Sequence, residues 1–162
     1  MQSPLCEICL KNEDILCAGC QRKLTAGMIT HTEVELSRIL WKLQERYKSI
    51  QAGGFAYAKD VGKTLLVVVP KGSAGKMIGK GGAIISELES ALHKKVKIVE
   101  EGTLEDVVKD IIGRSELIGI NKVFGAEGER YRVRVRRAQL NKSEVEGIIR
   151  AVTGKKAEVV FE

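Results

Sequence analysis

The stretch Met77-Ile78-Gly79-Lys80-Gly81-Gly82-Ala83-Ile84-Ile85 decides how this chain is read: it is a glycine-rich, basic loop set between two short helical patterns. Before it, Thr64-Leu65-Leu66-Val67-Val68-Val69 has the apolar, β-branched composition of a strand, and its unbroken apolar run predicts cover on both faces. After it, the pattern predicts a helix from Ala83 to His93 and a strand over Lys95-Val96-Lys97-Ile98-Val99. The order is strand, helix, loop, helix, strand.

Glycines let the backbone take positive φ and approach another backbone closely, and the start of the following helix presents unpaired N–H groups that suit a phosphate. Lys80 adds positive charge at the same place. A short glycine pattern alone says little in a chain with 17 glycines, and an ordinary turn between two helices of an α/β domain would also use one. The flanking strands and helices supply the context that such a motif requires. Gly62-Lys63-Thr64 ends like the phosphate loop of nucleotide hydrolases. However, Tyr57 stands where that loop needs a glycine, and a strand follows where it needs a helix.

The stretch resembles the GXXG loop of KH domains, with Gly79-Lys80-Gly81-Gly82 as the tetrad, Ile78 just before it, and Ile85 and Leu88 at the apolar positions expected after it. The resemblance implies a loop that clamps the backbone of about four unpaired nucleotides, with Lys76 and Lys80 as the basic residues beside it. It also implies an apolar groove for the bases, lined by Ile78, by Ile84 or Ile85, and by Val96 or Ile98.

The 162 residues suffice for one ordinary domain or two small ones. A net charge of +6 and a pI near 9.2 favour a polyanionic partner. Aromatic residues make up only 4%, which argues against modules that stack bases on aromatic platforms. No apolar run approaches the roughly 20 residues needed to cross a bilayer, and Met1-Gln2-Ser3-Pro4 leads into cysteines rather than a secretory core. A soluble, cytoplasmic protein without a membrane partner is expected.

All four cysteines lie in residues 1–24, as Cys6-Glu7-Ile8-Cys9 and Cys17-Ala18-Gly19-Cys20. Two C-x-x-C pairs can place four thiolates around one tetrahedral Zn2+. Two disulfides do not suit an intracellular setting, and a redox C-x-x-C would come singly with a βαβ context. The segment has few apolar residues (Leu5, Ile8, Leu10, Ile15, Leu16 and Leu24), so metal binding, with on the order of 10 kcal/mol available, is expected to organise it. Four sulfur ligands leave no open position, which makes the expected ion structural. His31 lies outside the ligand spacing and is expected near a helix start, and His93 at a helix end.

From Thr30 to Ile50 the pattern is helical. Thr30 with Glu33, or Thr32 with Glu35, makes a capping box, and Leu36, Leu40, Leu43, Tyr47 and Ile50 share one face. Phe55-Ala56-Tyr57-Ala58 then reads as a strand and residues 59–63 as a turn into the strand over 64–69. This helix-first order resembles the type II KH arrangement, over roughly residues 30–100.

The remainder repeats that order without the first core helix and without a GXXG loop. It reads as a helix over Thr103–Ile112, a strand over Glu116–Phe124, a loop at Gly125-Ala126-Glu127-Gly128 and a strand over Arg130–Arg137. A helix over Ser143–Thr153 and a strand over Lys156–Phe161 complete it. Ser86-Glu87-Leu88-Glu89 matches Ser143-Glu144-Val145-Glu146, which supports a repeat. The whole resembles a NusA-like tandem KH pair whose second lobe has lost the gripping loop. Within it, Arg132-Val133-Arg134-Val135-Arg136 alternates, so the three arginines share one strand face. Sequence leaves two readings open: a solvated face balanced by carboxylates such as Glu116, or a ridge that contacts phosphates.

The expected fold class is α+β: a zinc-binding knuckle or ribbon over 1–24, a type II KH domain over 30–101, and a degenerate KH-like α/β lobe over 102–162. The expected function is non-enzymatic binding of single-stranded RNA, with DNA not excluded, in transcription, RNA processing or translation. No Ser/His/Asp, Cys/His or paired-carboxylate arrangement stands out, and two histidines leave few options for acid–base chemistry. The alternative is an adaptor whose zinc module and arginine strand dock a protein machine such as RNA polymerase, a ribonuclease or the ribosome, with only weak RNA contact.

Overall fold

Thr30 and Glu33 form the capping box and so select one of the two helix starts that the sequence allowed. In the computed structural model, which describes residues 1–113, 115–136 and 140–162, the cap opens helix α3 (His31–Leu43). Two short helices precede it, α1 (Glu7–Lys11) and α2 (Ala18–Thr25). Glu33 is buried and does more than cap. Its Oε1 accepts from the Thr30 N–H at 3.0 Å, while Oε2 accepts from the Ala58 N–H at 3.2 Å, tying the start of the helix to the first strand.

The expected helix to Ile50 stops at Leu43, and the chain continues as a 3-10 turn over Lys48–Ala52. The apolar spacing survives because a 3-10 turn also returns every third residue to one face. The Ile50 N–H bonds to the Tyr47 carbonyl at 3.1 Å, and Ile50 remains fully buried. The turn delivers Gly53 and Gly54 to Gln2, whose N–H donates to the Gly53 carbonyl and whose carbonyl accepts from the Phe55 N–H, both at 2.9 Å. This short parallel bridge occupies Gly53–Phe55, so the strand expected at Phe55–Ala58 begins later. It runs as β1 (Tyr57–Val61), antiparallel to β2 (Thr64–Val69), with Val61 opposite Thr64 and a two-residue turn at Gly62-Lys63. Residues 59–61, expected in a turn, are strand.

Every residue of β2 is buried, as the unbroken apolar run required. Leu65, Val67 and Val69 share a core with Leu36, Leu40, Ile50, Phe55, Met77, Ile84 and Leu88. After β2 come α4 (Ala74–Ile78), the glycine loop, α5 (Ala83–Leu92) and β3 (Lys95–Glu100). The sheet order is β1-β2-β3. His93 ends α5 with φ 54°, and His31 begins α3, as their expected helix-end positions implied.

The chain divides into two compact units, Met1–Ile98 and Val99–Glu162. The second begins with α6 (Leu104–Ile112), capped by Thr103 and Asp106, and continues through β4 (Glu116–Gly125), β5 (Gly128–Arg136), α7 (Lys142–Thr153) and β6 (Ala157–Phe161). Its sheet order is β4-β5-β6, with β4 antiparallel and β6 parallel to β5. Arg137, expected at the end of the second strand, lies outside the described residues. From α3 onward the chain runs helix, strand, strand, helix, strand with α4 and the glycine loop set before α5, and from α6 onward it runs helix, strand, strand, helix, strand again. No helix among the described residues is long and apolar enough to cross a membrane.

Candidate nucleic-acid interface and metal site

Helix α4 ends where Gly79 takes φ 79° and ψ 168°, and Gly81 and Gly82 follow at φ 64° and 76°. Gly79 is required for space as well as for backbone angle: a Cβ there would meet Ile84 Cγ1 at 2.8 Å. This close approach seats the start of α5 against the end of α4. Gly81 has open space around its absent Cβ, and Lys80 is exposed beside it.

The start of α5 differs from those of α3, α6 and α7. Thr30, Thr103 and Asn141 each accept a backbone N–H from the first turn that they cap. The N-cap of α5 is Gly82, which has no side chain to offer, and the first turn of α5 has no acidic residue. The first N–H groups of a helix have no intrahelical acceptor and carry the positive end of the helix dipole. Here the Ala83 N–H is taken by the Lys80 carbonyl, and those that follow have no side-chain cap and lie next to an exposed lysine, an arrangement suited to an anion.

The structure also divides the apolar candidates. Ile84 and Val96 are buried, with Ile84 and Leu88 in the first core, whereas Ile78, Ile85 and Ile98 keep part of their surface accessible. Lys76 is exposed on α4. Its carbonyl accepts from Ser49 Oγ at 2.9 Å, and Met77 Sδ lies 3.1 Å from the Gly54 N–H. Ser49, Gly53 and Gly54 therefore brace the helix that leads into the loop. Sequence reading missed this bracing because its partners lie more than 20 residues away.

Arg132, Arg134 and Arg136 share a face of β5 as alternation predicted, and each meets a carboxylate. Arg134 grips Glu162 with two bonds at 2.8 and 3.0 Å, Arg136 bonds Glu116 at 3.2 Å, and Arg132 pairs with Glu158 at 3.6 Å. Of the two readings that sequence left open, this pairing supports the balanced face. The Arg134 guanidinium holds the Glu162 carboxyl below the usual range.

The four cysteine sulfurs lie within 4.8 Å of one another, and no disulfide joins them. Both pairs use the start of a helix: Cys6 and Cys17 are the N-caps of α1 and α2, and Cys9 and Cys20 are buried in the first turns. The Cys17 N–H donates to Cys9 Sγ at 3.1 Å, and the Cys20 N–H donates to Cys17 Sγ at 3.4 Å. The Cys20 N–H, together with contacts from the neighbouring thiols, lowers the Cys17 thiol to about 6, whereas burial pushes Cys9 up to about 12 and Cys20 upward. This set can hold one metal ion. Arg38 fastens the segment to α3 by donating to the carbonyls of Cys9, Asn12 and Ile15 at 3.3, 2.8 and 3.1 Å.

Residues 64–116 match the family model of the KH domain, a span that includes the glycine loop. Among solved structures, the crystal structure of APE1850 is similar at 21% identity with a TM-score of 0.53, covering 75% of this chain and 96% of that one. That likeness is one of fold. No curated protein matches the sequence.

Proposed function

We propose that this chain binds single-stranded RNA through the Gly79–Gly82 loop, as a non-enzymatic protein of transcription, RNA processing or translation. The observation that carries the reading is the uncapped, acid-free start of α5 beside exposed Lys80, within a span that matches a family known for gripping unpaired nucleotides. A phosphate takes Lys80 and the first-turn N–H groups beyond Ala83, which no side chain caps, with Lys76 adding charge nearby. The bases lie against Ile78, Ile85 and Ile98, which a paired strand could not offer them. The helix–strand–strand order ahead of the loop supports the type II, NusA-like arrangement, and the repeated order after it supports a second lobe without a grip.

The cysteine segment holds one structural Zn2+ in this reading. Ligands about 2.3 Å from a tetrahedral ion stand about 3.8 Å apart, and Cys6 Sγ and Cys17 Sγ are 3.8 Å apart. A cytoplasmic location, where thiols stay reduced, suits that role.

A second reading, an adaptor docked on a protein machine, draws support from the exposed apolar side chains of Ile8, Ile15 and Met28 around the cysteine module. The two readings part on one variant. Lys80→Asp/Gly81→Asp places two carboxylates where the phosphate would sit, in space that is open. Asp at position 81 costs about 1 kcal/mol for its positive φ, so the fold survives. RNA affinity, read with circular dichroism as the folding control, is expected to fall at least tenfold. A folded variant that binds RNA as tightly as the parent would leave the adaptor reading in its place.

A further inference from the structure

Strand β6 pairs with β5 only from Tyr131 onward, so the β4–β5 hairpin runs past the three-stranded sheet as a two-stranded arm, turning at Ala126-Glu127. Two-stranded ribbons are marginal in water without cover. Burial fades along this one: Val133 is fully buried, Tyr131 is half-buried, and Phe124 is 73% exposed. By the strand register, Lys122 faces Tyr131 and Phe124 faces Glu129, which puts both rings on one face of the arm. A lysine stands over each ring: Lys122 Nζ lies 5.3 Å from the centre of Phe124, and Lys155 Nζ 5.1 Å from that of Tyr131.

Charge at the arm is also unspent, unlike that of the neighbouring arginines. Arg130 continues the series of Arg132, Arg134 and Arg136, yet among the described residues neither it nor Lys156 has a carboxylate within ion-pair distance. Both line a recess of about 200 Å³ with the hairpin turn 125–129. Lys122, Arg130, Lys155 and Lys156 stand against Glu127 and Glu129, four cations to two carboxylates, and Glu129 is engaged by Lys122 at 2.9 Å. A lone exposed phenylalanine means little. Two aromatic rings on one face, each attended by a lysine, with Arg130 and Lys156 round the edge of the same arm and without a carboxylate partner among the described residues, fit a partner that has flat rings and phosphates together.

We propose that this arm is a second nucleic-acid contact, independent of the glycine loop: an unpaired base stacks on Phe124, a flanking phosphate is taken by Lys155 beside Tyr131, and the strand passes round the edge of the arm so that Arg130 and Lys156 take the next phosphates on its other face. Base stacking on an aromatic side chain tolerates any sequence, so the lobe that lacks a gripping loop would add affinity without adding sequence preference.

The test uses the full chain and an oligouridylate RNA, with binding read by fluorescence anisotropy in the parent and in the Lys80→Asp/Gly81→Asp background. The loop-disabled chain is expected to keep weak, salt-sensitive binding. Phe124→Ala should reduce that binding about 5- to 100-fold, the loss typical of one stacked base, and Phe124→Tyr should restore it. Arg130→Gln/Lys156→Gln should flatten the slope of log K against log salt by about 1.4, two single-strand phosphate contacts. Ultraviolet crosslinking should join the RNA to Phe124. The proposal is overturned if the loop-disabled chain retains no binding, or if Phe124→Ala binds like its parent. The loop reading fails separately, if disabling the loop leaves wild-type affinity whatever Phe124→Ala does.

Discussion

Gly79 combines two requirements that glycine alone meets, a positive φ and no room for a Cβ beside Ile84. Gly81 has only the first. Gly79→Ala should therefore destabilise the first unit by about 2–4 kcal/mol, the sum of a strained backbone and an overpacked contact, and Gly81→Ala by about 1 kcal/mol. Urea denaturation of the two variants checks the difference, and equal losses would mean that the Ile84 contact is soft. The glycines were legible in the sequence because a loop needing positive φ restricts residue type. Whether Ile84 or Ile85 faces outward was not, because neighbouring helix positions are distinguished only by what the helix packs against. The fate of Arg132 and Arg134 was equally hidden, since Glu158 and Glu162 reach them only once β6 lies beside β5, whereas Glu116, the partner of Arg136, stood among the carboxylates the sequence offered.

Among the elements, those that follow local chemistry were read well and those set by distant contacts were not. The helix expected from Thr103 forms, with Thr103 and Asp106 capping α6, and unbroken apolar sequence buries β2, as expected. The shifted start of β1 traces to Gln2, whose bridge to Gly54 no local pattern announces. Gly54 sits at φ 123°, and a Cβ there would lie 2.0 Å from the Gln2 carbonyl oxygen. Gly54→Ala must then displace the N-terminal residues, leaving the Gly53 carbonyl and the Phe55 N–H without their partner on Gln2. A loss of about 2 kcal/mol or more is expected, together with faster hydrogen exchange at Phe55, whose N–H now bonds to Gln2. Unchanged exchange at Phe55 would contradict the bridge.

In the molecule as a whole, the cysteine segment belongs to the same compact unit as the glycine loop, joined to it by Arg38 and Gln2. The sequence foretold the gathering of the four cysteines by their spacing but not this attachment, which rests on a side chain more than 20 residues away. Purified protein is expected to contain about one equivalent of zinc, and chelation should lower the melting temperature of the first unit. The ligands bind as thiolates, so loading the metal displaces protons and affinity rises with pH. Without the ion, Cys9 at about 12 stays protonated at neutral pH, whereas Cys17 at about 6 is already thiolate. Below about pH 6 Cys17 must also be deprotonated by the metal, so the fall in affinity should steepen there, as a titration with a competing chelator would record.

In the proposed function the loop grips an unpaired strand. Nuclear magnetic resonance of isotope-labelled protein titrated with single-stranded RNA addresses it without any substitution. The account predicts that the amides of residues 79–83 and the methyl groups of Ile78, Ile85 and Ile98 shift first and furthest, with buried Ile84 and Val96 following weakly. RNA binding that leaves residues 79–83 unmoved would contradict it.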